Sequence, residues 1–330
     1  MEGPPEPSGT YDNTHRAFLQ ALLSRGTITF DAAKPLLAAI QTAQDPARPT
    51  LENDISREDF DHYINTLNDS LSPFDFEIRN SLHQVTKAEV FALVNVSSDA
   101  LTQMSTSRSA DEIAFVKRVL DAMFDTNNTR RAEVMAVRGM DALKLAKAPG
   151  DGGRRESGTQ AQTQGNASLT MAQAEKVLKS MEAEGWFESS QKGFCTLTPR
   201  ALMELRGWLI ETYNDQEDEN EDEDDEEAGH EKIKLCTGCR NIITIGQRCP
   251  NPDMNCPCRL HDHCAGKMFR AQGGRQACPT CKTEWIDPLA VGEKAARKPR
   301  QSQANGTSGG RRRASGMNMD GAADEDSDSD

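Results

Sequence analysis

The chain has 330 residues, a formal net charge of −14 and a mean hydropathy of −0.68, with only 36% apolar residues, so part of it lies outside any packed core. The acidity is local: residues 215–227 hold eleven carboxylates and Asp320–Asp330 six, neither with a Lys or Arg, and setting both aside takes −14 to +3. No apolar stretch approaches the eighteen or so residues of a membrane helix, the start MEGPPEPSGT lacks a signal-peptide pattern, and no Walker, GxGxxG, GxSxG or HExxH motif occurs.

Residues 1–10 are expected to be disordered. From residue 11 to about 100 the pattern predicts a first folded domain. His15, Phe18, Leu19, Leu22 and Leu23 recur at helical spacing, and Gly26 is placed to end that helix. A second helix fits Asp31–Ala43 and a third Arg57–Leu71, with Phe60, Ile64, Leu67 and Leu71 on one face. Alternation then replaces the helical period: Phe74, Phe76 and Ile78, answered by Val90, Ala92, Val94 and Val96, read as a hairpin. Three helices followed by a hairpin is the order of a winged helix.

A second domain of the same kind is expected over 109–214. Ser109 and Glu112 form a capping-box pair, and Ile113, Val116, Leu120, Met123 and Phe124 follow on one stripe. A helix is expected over about Arg130–Lys147, then a low-complexity insertion at 148–166, then a helix over Thr170–Glu184 with Ala174, Val177, Leu178 and Met181 facing inward. Trp186–Phe187 and Phe194–Leu197, joined by a turn closing on Gly193, make a second hairpin, and Pro199–Tyr213 a last helix. Lys176 and Lys179 stand among Glu175, Glu182 and Glu184, so the 170–184 helix lacks the basic row of a DNA-recognition helix. Residues 215–231 form an acidic, self-repelling linker, 233–287 a Cys-rich domain, and 288–330 a Gly/Ser/Arg/Gln-rich tail expected to be disordered. Its basic clusters, Arg297–Arg300 and Arg311–Arg313, suit a nuclear-import signal. The fold class expected is therefore α+β and multidomain.

Eight of the nine cysteines lie between Cys236 and Cys281. The spacing is Cys236-x2-Cys239, Cys249-x6-Cys256, His261-x2-Cys264 and Cys278-x2-Cys281. A pair two apart lets a tight turn aim two thiolates at one ion, and four pairs make eight ligands, enough for two closed tetrahedral Zn²⁺ sites. In a reducing compartment the thiols hold metal rather than forming disulfides. The segment has few large apolar side chains (Ile242, Ile243, Ile245, Leu260, Met268, Phe269, Trp285), and a structural zinc supplies on the order of 10 kcal/mol of folding free energy. Cys258 and His263 stand beside Cys256 and His261, and either could replace its neighbour; the x2 spacing to Cys264 favours His261. Cys195 is expected to be a small buried hydrophobe.

The combination of THRAFLQALLSRG, EAEGWF, FCTLTPRALMELRGWLIETY and CTGC…RLHDHC…CPTC resembles the non-SMC element 1 family, the RING-like subunits of the structural-maintenance-of-chromosomes five–six complex. The resemblance covers nearly all of 11–287. It implies tandem winged helices followed by a variant RING, with Cys236, Cys239, His261 and Cys264 on one zinc and Cys249, Cys256, Cys278 and Cys281 on the other. It also implies nuclear residence, MAGE-like and kleisin partners, DNA or chromatin reached through the complex, and a part in DNA repair by recombination. A RING ligase supplies no catalytic nucleophile or base; it holds a ubiquitin-conjugating enzyme so that its thioester meets a substrate lysine. Candidate contacts for that enzyme are Thr237, Ile242, Ile243, Pro279, Lys282 and Trp285. Thr237 and Gly238 stand where many RINGs carry a larger apolar residue, and Lys282 where active RINGs often carry an arginine, whose planar fork lysine lacks. Two other readings are an architectural subunit, in which zinc only stabilises a docking surface, and a plant-homeodomain-type histone reader. Gln276, in place of an aromatic two residues before the seventh ligand, disfavours the reader.

Overall fold

The computed structural model describes residues 11–96, 107–147, 168–214, 231–251 and 256–296. The expectations for 1–10, for the insertion at 148–166, for the acidic run and for the tail beyond 296 fall outside the described residues.

Helix α1 (Asn13–Arg25) begins where the Asp12 carboxylate accepts the free N–H groups of Thr14 and His15, and it ends at Gly26, φ +71°. A short strand β1 (Thr27–Ile28) leads into α2 (Phe30–Gln44). Ser56 and Asp59 form the capping box that opens α3 (Arg57–Leu71). Strands β2 (Phe76–Leu82) and β3 (Glu89–Asn95) pair antiparallel, and β1 pairs with the other edge of β3. The stripe of α3 faces inward as its spacing requires: Phe60, Ile64 and Leu67 are buried, and Phe60 meets Phe91 edge-on at 4.8 Å between ring centroids. Phe74, expected in the first strand, lies instead in an exposed turn before Asp75, which adopts φ +60°.

The second unit runs α4 (Ala110–Asp121), a π-helical turn (Ala122–Thr126), β4 (Val137–Arg138), α5 (Gly139–Lys144), α6 (Met171–Ala183), β5 (Phe187–Ser189) and β6 (Phe194–Leu197). Its sheet order, β4-β6-β5, matches the β1-β3-β2 order of the first unit. Both units thus run helix, short strand, two helices, hairpin. The helix expected over 130–147 is mostly absent: Arg130–Ala136 is irregular, Met135 adopts φ +44°, and helix begins only at Gly139. Tertiary demand overrides local propensity there, because Asn128 and Glu133 are fully buried and are committed to partners elsewhere in the chain. The single helix expected over Pro199–Tyr213 is broken at Leu205 into α7 (Pro199–Glu204) and α8 (Arg206–Asn214).

In the Cys-rich segment β7 (Gly246–Arg248) pairs with both β8 (Arg259–Leu260) and β9 (Leu289–Val291), and α9 (Asp262–Ala271) follows β8. The strands approach so closely that a Cβ at Gly246 would lie 2.5 Å from the Leu260 carbonyl oxygen. Residues 288–296, expected to belong to a disordered tail, are a correction: β9 completes this sheet and Val291 is fully buried. The second unit and the Cys-rich segment close one continuous apolar cluster, whereas the first unit closes its own. Asn214 exchanges two hydrogen bonds with the Ile233 backbone, which ties the end of α8 to the start of the Cys-rich segment. Among the described residues no helix is long and apolar enough to cross a membrane.

Candidate metal centres

Two of the ligand pairs sit on matching backbone turns. After Cys236, the Arg240 N–H returns to the Cys236 carbonyl, Arg240 takes φ +63°, and Leu235 bridges Ile242. The Cys278 turn repeats this, with Lys282 at φ +65° bonded to the Cys278 carbonyl and Ala277 bridging Glu284. His261 and Cys264 lie on the first turn of α9, while Cys249 follows β7 and Cys256 precedes β8.

These devices gather Cys236, Cys239, His261 and Cys264 into one cluster and Cys249, Cys256, Cys278 and Cys281 into another, with the ligand atoms of each within 4.8 Å of one another. A tetrahedral zinc with Zn–S near 2.3 Å sets S···S edges of about 3.8 Å and S···N edges of about 3.6 Å. The edges found are 3.7 Å for Cys256–Cys278, 3.4 Å for Cys249–Cys281, and 3.3 and 4.0 Å from His261 Nδ1 to the sulfurs of Cys239 and Cys264. Donor set and spacing therefore fit two closed zinc sites with no position left for water or substrate. The first pair shares an ion with the third and the second with the fourth, so the sites interleave.

Placement brings His261 rather than His263, and Cys256 rather than Cys258, into the two clusters. His261 turns Nδ1 to the cluster and Nε2 toward the Ile242 carbonyl at 3.3 Å, which fixes the tautomer a metal ligand needs. The His263 ring stacks flat on His261 outside the cluster. Cys258 receives the Thr237 hydroxyl at 3.4 Å, and burial pushes its thiol up to about 12. Burial likewise raises the Cys195 thiol to about 12, as suits an inert core residue.

Beside the clusters lies a buried charged hub that the sequence did not reveal. Glu133, on the irregular loop of the second unit, is fully buried and accepts the Arg259 fork, with Nε at 2.7 Å from Oε2. Lys234 lies 3.0 Å and Arg248 3.7 Å from the same carboxylate. Burial alone would raise this carboxyl, but the Arg259 hydrogen bonds and the three cations hold it down to about 2. Burial pulls the Lys234 ammonium down to about 8 against the attraction of Glu133. A second unforeseen contact comes from the β2–β3 turn. Gln84 Nε2 donates to the Ile242 carbonyl, and its Oε1 accepts from the backbone of Thr244 and Ile245. The one signal in the sequence is proximity: Lys234, Arg248 and Arg259 each lie within two residues of a ligand.

A family model described as the Nse1 non-SMC component of the SMC5-6 complex matches residues 15–205, and a RING-like domain model matches 236–281. The chain belongs to the Nse1 family. It is 24% identical over 285 residues to the non-structural maintenance of chromosomes element 1 homolog of Bos taurus, covering 86% of this chain and 88% of that protein. The Schizosaccharomyces pombe element 1 protein is 24% identical over 229 residues, covering 69% of this chain and 78% of its own. A chain of the solved Nse1-Nse3-Nse4 complex superposes with a TM-score of 0.60 at 22% identity, over 84% of this chain and 97% of that one, and so shares the fold.

The six candidate contacts for a conjugating enzyme divide within this Nse1-family chain. Ile242, Ile243 and Trp285 are 3%, 0% and 3% exposed, which corrects their expected role: they fill the small core. Trp285 packs on Phe269 and donates its indole N–H to Gln247. Thr237 and Pro279 are half-buried, and Lys282 is exposed, its ammonium donating to the Pro279 carbonyl at 2.8 Å.

Proposed function

We propose that this chain is the RING-type ubiquitin-ligase subunit of an SMC5-6 complex, working in the nucleus in DNA repair by recombination and bound to a MAGE-like and a kleisin subunit. The observation that carries the reading is the pair of interleaved, closed ligand clusters, matched by the RING-like model over the same residues. Closed sites perform no chemistry of their own; what such a scaffold contributes is geometry, holding a charged conjugating enzyme against a substrate lysine. The surface left for that enzyme is Thr237, Pro279 and Lys282. DNA or chromatin is reached through the complex, since Lys176 and Lys179 on α6 stand among Glu175, Glu182 and Glu184 rather than in a basic row. The partners follow the composition of the solved assembly whose chain shares this fold.

A ubiquitin-transfer assay on the zinc-loaded chain, with and without its MAGE-like partner, tests the reading. Lys282→Gln should lower transfer about tenfold, the loss of one anchor in a small interface, with zinc content unchanged, and Lys282→Arg should match or exceed the parent. One observation favours the architectural alternative: the apolar residues after the second ligand are buried, and Gln84 clamps them to the first unit. No transfer by the parent with its partner present establishes that alternative.

A further inference from the structure

We propose that Glu133 is a latch that couples zinc loading of the 233–292 segment to its docking on the second unit, independently of any ubiquitin transfer. Four separate parts of the segment converge on this one residue. Lys234, Arg248 and Arg259 reach its carboxylate, and the Gly292 N–H, at the end of β9, donates to its carbonyl at 2.8 Å. Each cation stands one or two residues before a different ligand: Lys234 two before Cys236, Arg248 one before Cys249, Arg259 two before His261.

Arg259 does the coupling. Its Nη1 donates to the carbonyls of Cys256 at 2.7 Å and Cys258 at 3.0 Å, bracing the loop that carries a ligand of the four-cysteine centre. Its own carbonyl accepts the Thr237 N–H at 2.9 Å, inside the Cys236–Cys239 turn of the other centre. Arg259, whose guanidinium Glu133 grips, is thus the residue on which both ligand loops lean, one through its side chain and the other through its backbone carbonyl. Glu133 never touches a ligand; it is a positioning residue acting through Arg259.

The charges agree with this assignment. Three cations gather on the one Glu133 carboxylate, and buried charge is costly unless it is paired. A loaded centre of three thiolates and an imidazole is anionic, and one of four thiolates more so. These cations therefore have the sign that suits two loaded centres beside them. Loading favours docking, and by linkage docking favours loading to the same extent. The loop has also given up the expected helix over 130–136 to deliver this carboxylate.

The test uses the full chain. Zinc release to a chromophoric chelator is timed for the parent, Glu133→Gln, Arg259→Lys and a remote control, Glu175→Gln. Glu133→Gln should still bind two zinc ions but release them about 10–100-fold faster, the usual effect of losing an outer partner of a metal site. Arg259→Lys, which keeps the charge but not the fork, should fall between, and Glu175→Gln should match the parent. In the parent, chelation should raise amide exchange over Asn127–Ala136 of the second unit while leaving α3 of the first unit protected. Zinc release from Glu133→Gln at the parent's rate, or an Asn127–Ala136 loop indifferent to chelation, overturns the latch. Should Glu133→Gln fail to fold, Arg259→Lys and the chelation experiment on the parent decide the matter, since neither needs that variant.

Discussion

In the first unit the interior is filled by Phe18, Leu37, Phe60 and Leu67, all fully buried; in the zinc-bearing segment the two largest fully buried side chains are Arg248 and Arg259. Both are small bodies facing the same shortage of apolar surface. The first meets it with aromatic rings packed edge to face, Phe18 on Phe60 and Phe60 on Phe91. The second meets it with two candidate zinc centres and a charged hub shared with its neighbour. An apolar core loses stability piece by piece when trimmed, because each contact is small and non-directional. A buried charged network fails on the loss of one member, because the remaining charges are left desolvated and unpaired. The two regions should therefore break in different ways.

The largest effect expected is at the metal. His261→Ala should lower zinc below two ions per chain and unfold 233–291, a loss on the order of 10 kcal/mol, while α1–α3 keep their amide protection. His263→Ala should keep both ions. Elemental analysis showing the reverse refutes the choice of His261. On the other side of the comparison, Phe60→Ala should cost the first unit about 3–5 kcal/mol in denaturant unfolding and leave zinc content at two. Loss of zinc in Phe60→Ala means that the two regions stand or fall together.

What the sequence carried well was everything with a local period. The α3 stripe, the capping box at Ser109 and the four ligand pairs each depend on residues a few positions apart, and each is found where expected. Strands β1 and β4 have two residues each, too short to alternate, so the matching sheet order of the two units was invisible. Strand β9 hid in a stretch whose composition reads as tail. Glu133 and Gln84 were beyond reach for another reason: their partners lie more than 100 residues away, and nothing local marks a carboxylate or an amide for burial against a distant loop. The reading of Ile242 and Ile243 failed for a related reason: they look available next to a ligand turn, but their side chains pack into the apolar cluster that the Cys-rich segment shares with the second unit.

Gln84 offers a milder way to separate the regions. Gln84→Ala leaves the Ile242 carbonyl and the Thr244 and Ile245 N–H groups without this partner, a loss of about 1–2 kcal/mol for a half-buried site. Amide exchange should quicken over Ile242–Ile245 and zinc should remain bound at equilibrium. Unchanged exchange there would show that the first unit merely rests against the segment.

The smallest effect lies one residue earlier, where His83 Nε2 meets Glu188 Oε2 at 3.1 Å, joining the hairpin of the first unit to that of the second. The hydrogen bond to Glu188 raises the His83 pKa above its ordinary 6.5, with burial opposing. A raised folded-state value means that the stabilisation is fully present below about 6.5, the value in the unfolded chain, and is lost as pH rises through the folded value. Both side chains keep part of their solvent contact, so the pair is worth less than about 1 kcal/mol. Unfolding of the parent and of Glu188→Gln, followed from about pH 5.5 to 8, should show a stability gap that is widest in acid and closes toward neutrality and above. A gap that does not change with pH would mean that Glu188 acts by packing alone. Zinc content should be the same in both proteins at every pH where the parent is loaded, because this pair, unlike Glu133, holds nothing that leans on a ligand loop.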